Sequence, residues 1–237
     1  MTLQDRVAVI TGATGVLGSV VTRDLAARGV NLALLDIDAD RLATLTGSLS
    51  LPGNRFLSQK VNLLDPIETK TAAGAVMDRF GRLDILLHLV GGWTGGKILV
   101  EAPAADLVFM LNQHVWTSFN VVQAFVPCLI KNGWGRVVMI TSPFASRPNP
   151  KGGPYAIAKA GQETLMLALS QELKGTGVTA NLLQARSIDA RREKISNPTP
   201  DNAGWTTPEE LSAAIQYLLS DEAGTISGAR IPLYGSY

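Results

Sequence analysis

The stretch TGATGVLG, residues 11–18, decides how this chain folds. It ends the short apolar run RVAVIT, residues 6–11, which is typical of a buried strand. After it, apolar side chains recur at helical spacing over residues 16–26, and Gly29 is the expected end of that helix. Glycines between a strand and a helix let the backbone approach an anion, and the helix N-terminus offers free N–H groups. The stretch therefore predicts a phosphate-binding turn.

The alternation of strand and helix continues to the end of the chain. Apolar runs at residues 31–35, 83–90, 136–141 and 178–183 read as strands, and helical patterns separate them. These runs lack the period of two that a one-sided strand shows, so both faces of the sheet must be covered. The pattern predicts an α/β fold: a single Rossmann-type, doubly wound parallel sheet with helices on both faces.

Size and composition indicate one domain. The chain has 237 residues, of which 46% are hydrophobic and 17% charged. A folded chain of this size buries roughly 70% of its surface, and the low charge argues against disorder. We therefore expect a single catalytic domain over residues 1–237. The polar, proline-containing segment 187–207 is too long for an ordinary connection and is expected to be a flexible lid.

Charge and cysteine content exclude several classes of protein. Twenty-one basic and 20 acidic side chains leave a net charge of +1, which provides no field to hold nucleic acid or an anionic membrane. One cysteine, Cys128, rules out an internal disulfide, and two histidines are too few for most histidine metal centres. No secretory signal is visible, and no apolar run approaches about 18 residues. We expect a soluble, cytoplasmic protein without a metal.

An acidic residue stands where the ribose of a bound nucleotide would lie. Asp36 ends the second predicted strand, 18 residues after Gly18. A carboxylate at this place can hydrogen-bond the 2′-hydroxyl of an adenosine ribose, and it repels a 2′-phosphate. The alternative is an aspartate that only caps the next helix. Since the turn also lacks a basic residue, the pattern favours NAD(H) over NADP(H).

A tyrosine and a lysine share one face of a later helix. Tyr155 and Lys159 are four residues apart, and Pro154 marks the helix start. A nearby cation favours the phenolate and lowers the pKa of tyrosine from its usual value near 10, which suits proton transfer. Such pairs also occur on surfaces. This one gains weight from Ser142, 13 residues earlier at a strand end, where ligands of open parallel sheets gather.

Taken together, these residues resemble the short-chain dehydrogenase/reductase family over nearly the whole chain. The matching features are the TGxxGxxG turn at residues 11–18, Asp36, the LDILL strand at 83–87, Asn112, Ser142, Tyr155 with Lys159, and SGARIPLYG at 227–235. The resemblance implies an NAD(P)-dependent oxidoreductase that acts on a CH–OH group and its carbonyl. Its substrate would be a small molecule.

The resemblance also implies a role for each catalytic position. Tyr155 would be the general acid in carbonyl reduction and the base in alcohol oxidation. Lys159 would lower the pKa of that tyrosine and hold the nicotinamide ribose. Ser142 would bind the substrate oxygen, and Asn112 would support a water-linked proton path behind the lysine. Trp93, Ser142, Phe144 and Tyr155 are the expected substrate contacts.

The expected cofactor contacts run from the glycine turn to the lid. They are Gly12, Thr14, Gly15, Val16, Leu17, Gly18, Asp36, Ile37, Asn62, Leu63, Val90, Gly91, Gly92, Tyr155, Lys159 and Ile188. Four places depart from the family pattern: Val16 fills a glycine slot, HLVG at 88–91 replaces NNAG, Ala185-Arg186 replaces PG, and Asn62 replaces the common adenine-contacting aspartate. His88 and His114 are interpreted as structural residues.

Local features are similar to dihydropteridine reductase, an NADH-using branch of the same family. They include Trp93 after Gly91-Gly92, WTS at 116–118, and Trp205-Thr206. Trp93 would stack on a flat heteroaromatic ring, or would simply pack. Ser142 argues for an ordinary carbonyl or alcohol substrate, since the pteridine branch does without that serine. A dihydropteridine-type reductase and a non-catalytic NAD(H)-sensing protein remain the alternatives.

Two segments bear on partners. Residues 104–132 and 154–174 predict helices too apolar to be purely surface elements, and the resemblance suggests that they bury against other subunits of a homotetramer or homodimer. Within the lid, Arg191, Arg192 and Lys194 would either meet an anionic substrate or form a solvated charge run.

Overall fold

A seven-stranded parallel sheet runs through the centre of the molecule. The computed structural model describes residues 3–234. The strands are β1 (Val7–Thr11), β2 (Asn31–Asp36), β3 (Phe56–Lys60), β4 (Ile85–His88), β5 (Gly135–Thr141), β6 (Val178–Gln184) and β7 (Arg230–Pro232). They lie in the order β3-β2-β1-β4-β5-β6-β7, and each neighbouring pair is parallel.

Helices follow the strands in the chain. They are α1 (Val16–Ala27), α2 (Ala39–Gly47), α3 (Pro66–Phe80), α4 (Ala104–Leu111), α5 (Thr117–Asn132), α6 (Gly153–Glu172), α7 (Glu193–Ser196) and α8 (Pro208–Leu218). Short 3₁₀ turns occupy Gly53–Arg55, Leu99–Glu101 and Pro143–Ala145.

The sheet is covered on both faces because successive strand residues point to opposite sides. In β1, Val9 belongs to a core cluster with Phe125 of α5. Its neighbour Ile10 belongs to a second cluster with Leu25 of α1. Helices α3, α5 and α6 contribute to the first cluster, and α1, α2 and α8 to the second. The structure therefore confirms the predicted α/β class and the doubly wound parallel sheet.

The order of the strands reverses next to β1. Strands β2 and β3 lie on one side of β1, and β4 to β7 lie on the other. The connections that leave β1 and β4 at their carboxyl ends therefore diverge, and a crevice opens between them. Open α/β sheets bind their ligands in such a crevice.

The predicted long helix at residues 104–132 contains an irregular turn. Helices α4 and α5 are joined by the π-helical turn Asn112–Trp116, so the helical path is continuous but gains one wide turn. A π-turn shifts the register of the side chains that follow it and is frequent at functional sites. Here it buries His114 completely.

The predicted lid is tied down at both ends. Ile188 and Thr206 form an isolated parallel bridge, the Thr206 amide donates to the Ser187 carbonyl at 2.9 Å, and the Asp189 amide donates to the Thr206 carbonyl at 2.8 Å. Its basic residues contact glutamates: Arg191 lies 3.6 Å from Glu193, Arg192 pairs with Glu209, and Lys194 lies 2.8 Å from Glu210. The basic run is thus largely committed to ion pairs, two of which dock α7 onto α8.

Within residues 3–234, no helix is both long and apolar enough to cross a membrane. The same part of the chain contains no group of three or more histidine, cysteine, aspartate or glutamate side chains that could hold a metal ion.

Asp84 ties together the amino ends of three neighbouring strands. Its side chain, fully buried, accepts hydrogen bonds from the Val7 amide at 2.9 Å, Arg6 at 3.0 Å, Asn132 at 3.0 Å and Arg82 at 2.6 Å. Burial by itself raises the pKa of this carboxyl, but the hydrogen bonds from Arg82, the Val7 amide and Arg6 outweigh it. The pKa of Asp84 therefore lies below its ordinary value.

Asp84→Asn should destabilise the fold by about 3 kcal/mol at pH 7, because the Val7 amide, Arg6 and Arg82 lose a fully buried charged acceptor. A carboxyl with a depressed pKa in the folded state contributes stability above its unfolded pKa and loses it as the pH falls. The difference in the free energy of unfolding between variant and wild type should therefore become smaller below about pH 4. Urea unfolding at pH 7 and pH 3.5 measures both effects, with Asp78→Asn on the exposed side of α3 as control. An equal gap at both pH values would contradict the assignment.

Candidate active site

Two positions in the glycine turn, Gly12 and Gly18, have no room for a side chain. Gly12 has a φ of +67°, and a Cβ there would lie 3.1 Å from the backbone of Leu89 and Val90. A Cβ on Gly18 would collide with the Gly12 carbonyl oxygen. Helix α1 starts at Val16 with Gly15 as its N-cap and no side-chain cap. Its first N–H groups therefore have no partner within the helix and are available to an anion.

Asp36 holds this turn against β2. One carboxylate oxygen accepts from the amide and the hydroxyl of Thr14, at 2.9 and 2.7 Å, and the other accepts from the Ile37 amide at 2.8 Å. Helix α2 is capped by Asp38 and not by Asp36. The helix-capping interpretation of Asp36 is therefore wrong. Arg41, which the sequence did not single out, donates to the Thr14 carbonyl at 2.6 Å.

Two adjoining cavities line the crevice. The first, of about 290 Å³, is bounded by Asp36 and Arg41 and is called here the Asp36 cavity. The second, of about 320 Å³, is bounded by Tyr155 and Lys159 and is called the Tyr155 cavity. Residues Gly15, Leu89, Val90 and Gly91 line both.

The walls of the two cavities contain all sixteen residues expected to contact the cofactor. Gly12, Thr14, Asp36, Ile37, Asn62 and Leu63 line the Asp36 cavity; Val16, Leu17, Gly18, Gly92, Tyr155, Lys159 and Ile188 line the Tyr155 cavity; and Gly15, Val90 and Gly91 line both. A pair of joined cavities with the glycine turn between them fits an elongated dinucleotide. The nicotinamide would lie toward Tyr155 and the adenosine toward Asp36.

Ser142 and Tyr155 interact where β5 ends and α6 begins, and of the two only Tyr155 is among the described residues that line the Tyr155 cavity. Ser142 is fully buried at the end of β5, and its hydroxyl accepts a hydrogen bond from the Phe144 amide at 3.3 Å. It also hydrogen-bonds the Tyr155 hydroxyl. Burial raises the pKa of Tyr155, and the bond with Ser142 offsets this only in part.

Lys159 hydrogen-bonds to groups other than Tyr155. Its Nζ donates to the Ile140 carbonyl at 2.8 Å and to Gln162 Oε1 at 2.9 Å, and it lies over the Tyr155 ring, 5.9 Å from the centroid. Burial lowers the pKa of Lys159 to about 7, although Glu163 acts in the opposite direction. The pKa of Tyr155 is raised overall because burial outweighs the hydrogen bond with Ser142, and the lowering effect of Lys159 on it stays a prediction.

His114 occupies the position beside Tyr155. Its ring stands edge-on to the tyrosine ring with centroids 5.5 Å apart, and its Nε2 lies 2.9 Å from the Gly92 carbonyl. It lines the Tyr155 cavity, whereas Asn112 is not among the described residues that line either cavity. The sequence analysis missed the place of His114, because residues 104–132 are mostly apolar and a one-residue shift in helical register does not stand out there.

The remaining residues named from the sequence lie on the surface, in the core or on a cavity wall. Of the four expected substrate contacts, only Tyr155 is among the described residues that line the cavities; Trp93, Ser142 and Phe144 are not, and Trp93 is 61% exposed. His88 is buried, with Thr11 Oγ1 2.7 Å from Nδ1 and Thr117 Oγ1 3.4 Å from Nε2. Burial lowers its pKa to about 3, so it is a neutral, hydrogen-bonded core residue. Arg186, at the departure from the PG pattern, lines the Tyr155 cavity.

Comparison with protein families and curated proteins gives one consistent result. A family model described as short chain dehydrogenase matches residues 6–200. D-beta-hydroxybutyrate dehydrogenase from Rhizobium meliloti is 27% identical over 254 residues, covering 98% of each chain. The 3-oxoacyl-(acyl-carrier-protein) reductase of Thermotoga maritima is 28% identical over 244 residues, covering 99% of this chain and 98% of the relative.

Solved structures show the same fold. An NAD⁺-bound xylitol dehydrogenase superposes with a TM-score of 0.90 at 20% identity, covering all of both chains. A 3-ketoacyl-(acyl-carrier-protein) reductase from Brucella melitensis, complexed with NADH, superposes with a TM-score of 0.88 at 20% identity, covering 98% of each chain.

Gly18→Ala should displace the glycine turn, because the new methyl group meets the Gly12 carbonyl oxygen. We expect a loss of about 1–3 kcal/mol in stability and NADH binding at least about tenfold weaker, followed by NADH fluorescence. Gly74→Ala is the matched control, since nothing lies within 4 Å of a Cβ there and alanine favours the helix. Normal NADH binding by Gly18→Ala would show that the turn does not hold the dinucleotide.

Proposed function

The chain belongs to the short-chain dehydrogenase/reductase family, and from this membership we propose that it interconverts a ketone and a secondary alcohol with NAD(H). The family carries out NAD(P)-dependent oxidoreduction of carbonyls and alcohols, and this chain is an oxidoreductase of that kind. One domain would hold both cofactor and substrate. The hydrogen bond between Ser142 and Tyr155, with Tyr155 on the wall of the Tyr155 cavity, carries the proposal.

Tyr155 is the proposed general acid and base. The bound nicotinamide supplies or accepts the hydride, and every proton step belongs to the protein. In carbonyl reduction, the Tyr155 hydroxyl gives its proton to the substrate oxygen while Ser142 holds that oxygen by a hydrogen bond. In alcohol oxidation the same oxygen atom of Tyr155 takes the proton back.

The raised pKa of Tyr155 favours one direction near neutrality. A tyrosine whose pKa lies above its usual value stays protonated at pH 7, which is the form that reduction requires. Oxidation needs the phenolate, so its rate should rise as the pH increases above neutrality. At neutral pH we therefore expect reduction to be favoured over oxidation.

The charge of Asp36 supports a preference for NAD(H). The carboxylate lines the cavity proposed for the adenosine, where it repels a 2′-phosphate. Arg41 lines the same cavity and acts in the opposite direction. The preference for NAD(H) is therefore a balance between these two side chains.

The pteridine and sensor alternatives find less support. Trp93 is largely exposed and Trp116 is 54% exposed, and neither is among the described residues that line the cavities. Stacking of Trp93 on a heteroaromatic substrate is thus unsupported. A sensor without turnover would have no use for a buried serine hydrogen-bonded to a cavity tyrosine.

Exposed apolar side chains support assembly into a homotetramer or homodimer. Val108 and Phe109 of α4, Trp116 and Phe119 around the π-turn, and Ile157 of α6 are each between 41% and 56% exposed. Contiguous apolar surface of this kind typically marks a subunit contact.

Tyr155→Phe should reduce the rate of ketone reduction by about 10²–10⁴-fold, because it removes the proton donor. NADH binding should change less than about threefold. The measurement is NADH consumption with a panel of ketones and with quinonoid dihydropterin, beside Tyr217→Phe on the exposed side of α8. Unchanged turnover in Tyr155→Phe would reject its role, and turnover of dihydropterin alone would favour the pteridine alternative.

Asp36→Asn should shift cofactor preference toward NADPH, because the repelling charge is lost while Arg41 remains. We expect the ratio of kcat/KM for NADH over NADPH to fall by about tenfold or more. Adding Arg41→Gln should restore weak binding of NADPH. A wild-type protein that already prefers NADPH would refute the assignment of Asp36.

A further inference from the structure

Buried polar side chains form a chain on the inner side of Lys159. Lys159 Nζ donates to Gln162 Oε1 at 2.9 Å, Gln162 Nε2 donates to Ser118 Oγ at 2.9 Å, and Ser118 Oγ donates to the His114 carbonyl at 2.5 Å. Gln162 and Ser118 are fully buried, and Lys159 is only 4% exposed. The proposed proton transfer by Tyr155 and Ser142 makes no use of this chain, which therefore needs its own explanation.

Each hydrogen bond in this chain has only one possible donor. A carbonyl oxygen only accepts, so the single hydroxyl proton of Ser118 goes to His114. The Ser118 oxygen is then free to accept, and the partner that it meets must be the NH₂ group of Gln162. This leaves the amide oxygen of Gln162 for Lys159. The chemistry alone therefore orients the amide.

Only one of the three hydrogens on the Lys159 ammonium group can be exchanged without breaking a hydrogen bond. An ammonium has three hydrogens, of which the Ile140 carbonyl takes one and Gln162 Oε1 takes another. Both acceptors need a hydrogen whether Lys159 is charged or neutral. The third position changes from N–H to lone pair on deprotonation, and the Tyr155 cavity, which Lys159 lines, is the space left for it.

The inner chain cannot conduct a proton. An amide group such as that of Gln162 accepts a hydrogen bond without passing the proton onward, and the chain ends at the His114 carbonyl. Asn112, expected to support a water-linked path behind the lysine, is not among the described residues that line the cavities. No link in this chain therefore carries a proton from Lys159 inward.

We propose that Gln162 is a positioning residue that closes the inner side of Lys159 and directs its one exchangeable proton into the catalytic cavity. The inference rests on the proposed function. In reduction, Tyr155 first gives its proton to the substrate oxygen and becomes a phenolate. Protonated Lys159 then returns a proton to this phenolate. The neutral Lys159 recovers a proton from water that enters through the cavity mouth. One proton from solvent is consumed for each alcohol formed.

Charged and titratable groups approach Lys159 from several elements. Tyr155 and Glu163 share its helix, His88 comes from β4, His114 from the π-turn, and Arg186 follows β6. Both histidines have a pKa near 3 because of burial and the neighbouring Lys159 charge. Glu163 is held by Arg230 of β7 at 2.7 Å. A titration near pH 7 within this set therefore reports Lys159.

The test is a ¹³C NMR titration of protein labelled at the lysine ε-carbons, without cofactor. Lys159→Arg identifies the resonance. Gln162→Met removes an acceptor that stabilises the ammonium, so the pKa of Lys159 should fall by about one pH unit. Gln162→Glu supplies a carboxylate in its place, so the pKa should rise by about one pH unit or more. Gln171→Met, on the exposed side of the same helix, should leave it unchanged.

Enzyme kinetics give a second readout. The rate of ketone reduction should fall in wild type as the pH rises through about 7, since protonated Lys159 is the required form. The midpoint of kcat should move down in Gln162→Met and up in Gln162→Glu, while KM for NADH changes little. Ser118→Ala removes the acceptor that orients the Gln162 amide, so the amide can rotate and the pH midpoint of kcat should also fall. Far-UV circular dichroism and urea unfolding confirm that each variant is folded.

The outcomes separate this inference from the proposed function. A Lys159 titration that stays in place in folded Gln162→Met and Gln162→Glu overturns the positioning role. Equal losses of kcat without movement of the pH midpoint overturn it as well, because they indicate a purely structural effect. A titration that moves as expected in a protein that never oxidises NADH would support the positioning of Lys159 and refute the ketone reductase function.

Discussion

The close approach of the glycine turn to the end of β4 is the constraint on which the rest of the site depends. Only a residue without a Cβ fits at Gly12 and Gly18, because the backbone of Leu89 and the Gly12 carbonyl fill the space. This contact sets where α1 begins and so places its N-terminus in the crevice between β1 and β4. Asp36 then fixes the turn to β2 through Thr14, which gives the crevice its second wall.

Burial of Lys159 is the second constraint, and it accounts for the polar residues on the inner face of α6. An ammonium taken out of water needs acceptors, or it loses its proton. Ile140 and Gln162 provide two acceptors, which hold the side chain in place without neutralising it. Glu163, one residue further along, is bound by Arg230 and Thr141 and ties the same helix to β7 and β5. The catalytic helix is thus fixed from behind by polar contacts.

The sequence predicted most of the fold and most of the residues that line the two cavities, because both depend on local sequence patterns. Runs of apolar residues mark strands, and glycines with a following acidic residue mark the crevice. The π-turn at 112–116 was not predicted, because residues 104–132 are mostly apolar and a one-residue shift in register does not stand out there. That turn puts His114 where Asn112 was expected. The direction of the Tyr155 pKa was missed for a related reason: it depends on burial and on the contacts of Lys159 with Ile140 and Gln162, which only the tertiary structure shows.

The two pKa shifts are best understood as one effect. Burial raises the pKa of an acid such as Tyr155 and lowers that of a cation such as Lys159, because both shifts avoid charge in a dry cavity. Near pH 7 the phenol is therefore neutral, and about half of the Lys159 side chains still carry their proton. A neutral phenol is a ready proton donor, whereas a phenolate would have to be made at a cost. The same burial that shapes the cavity thus biases the chemistry toward reduction, and it does so before any substrate contact is made.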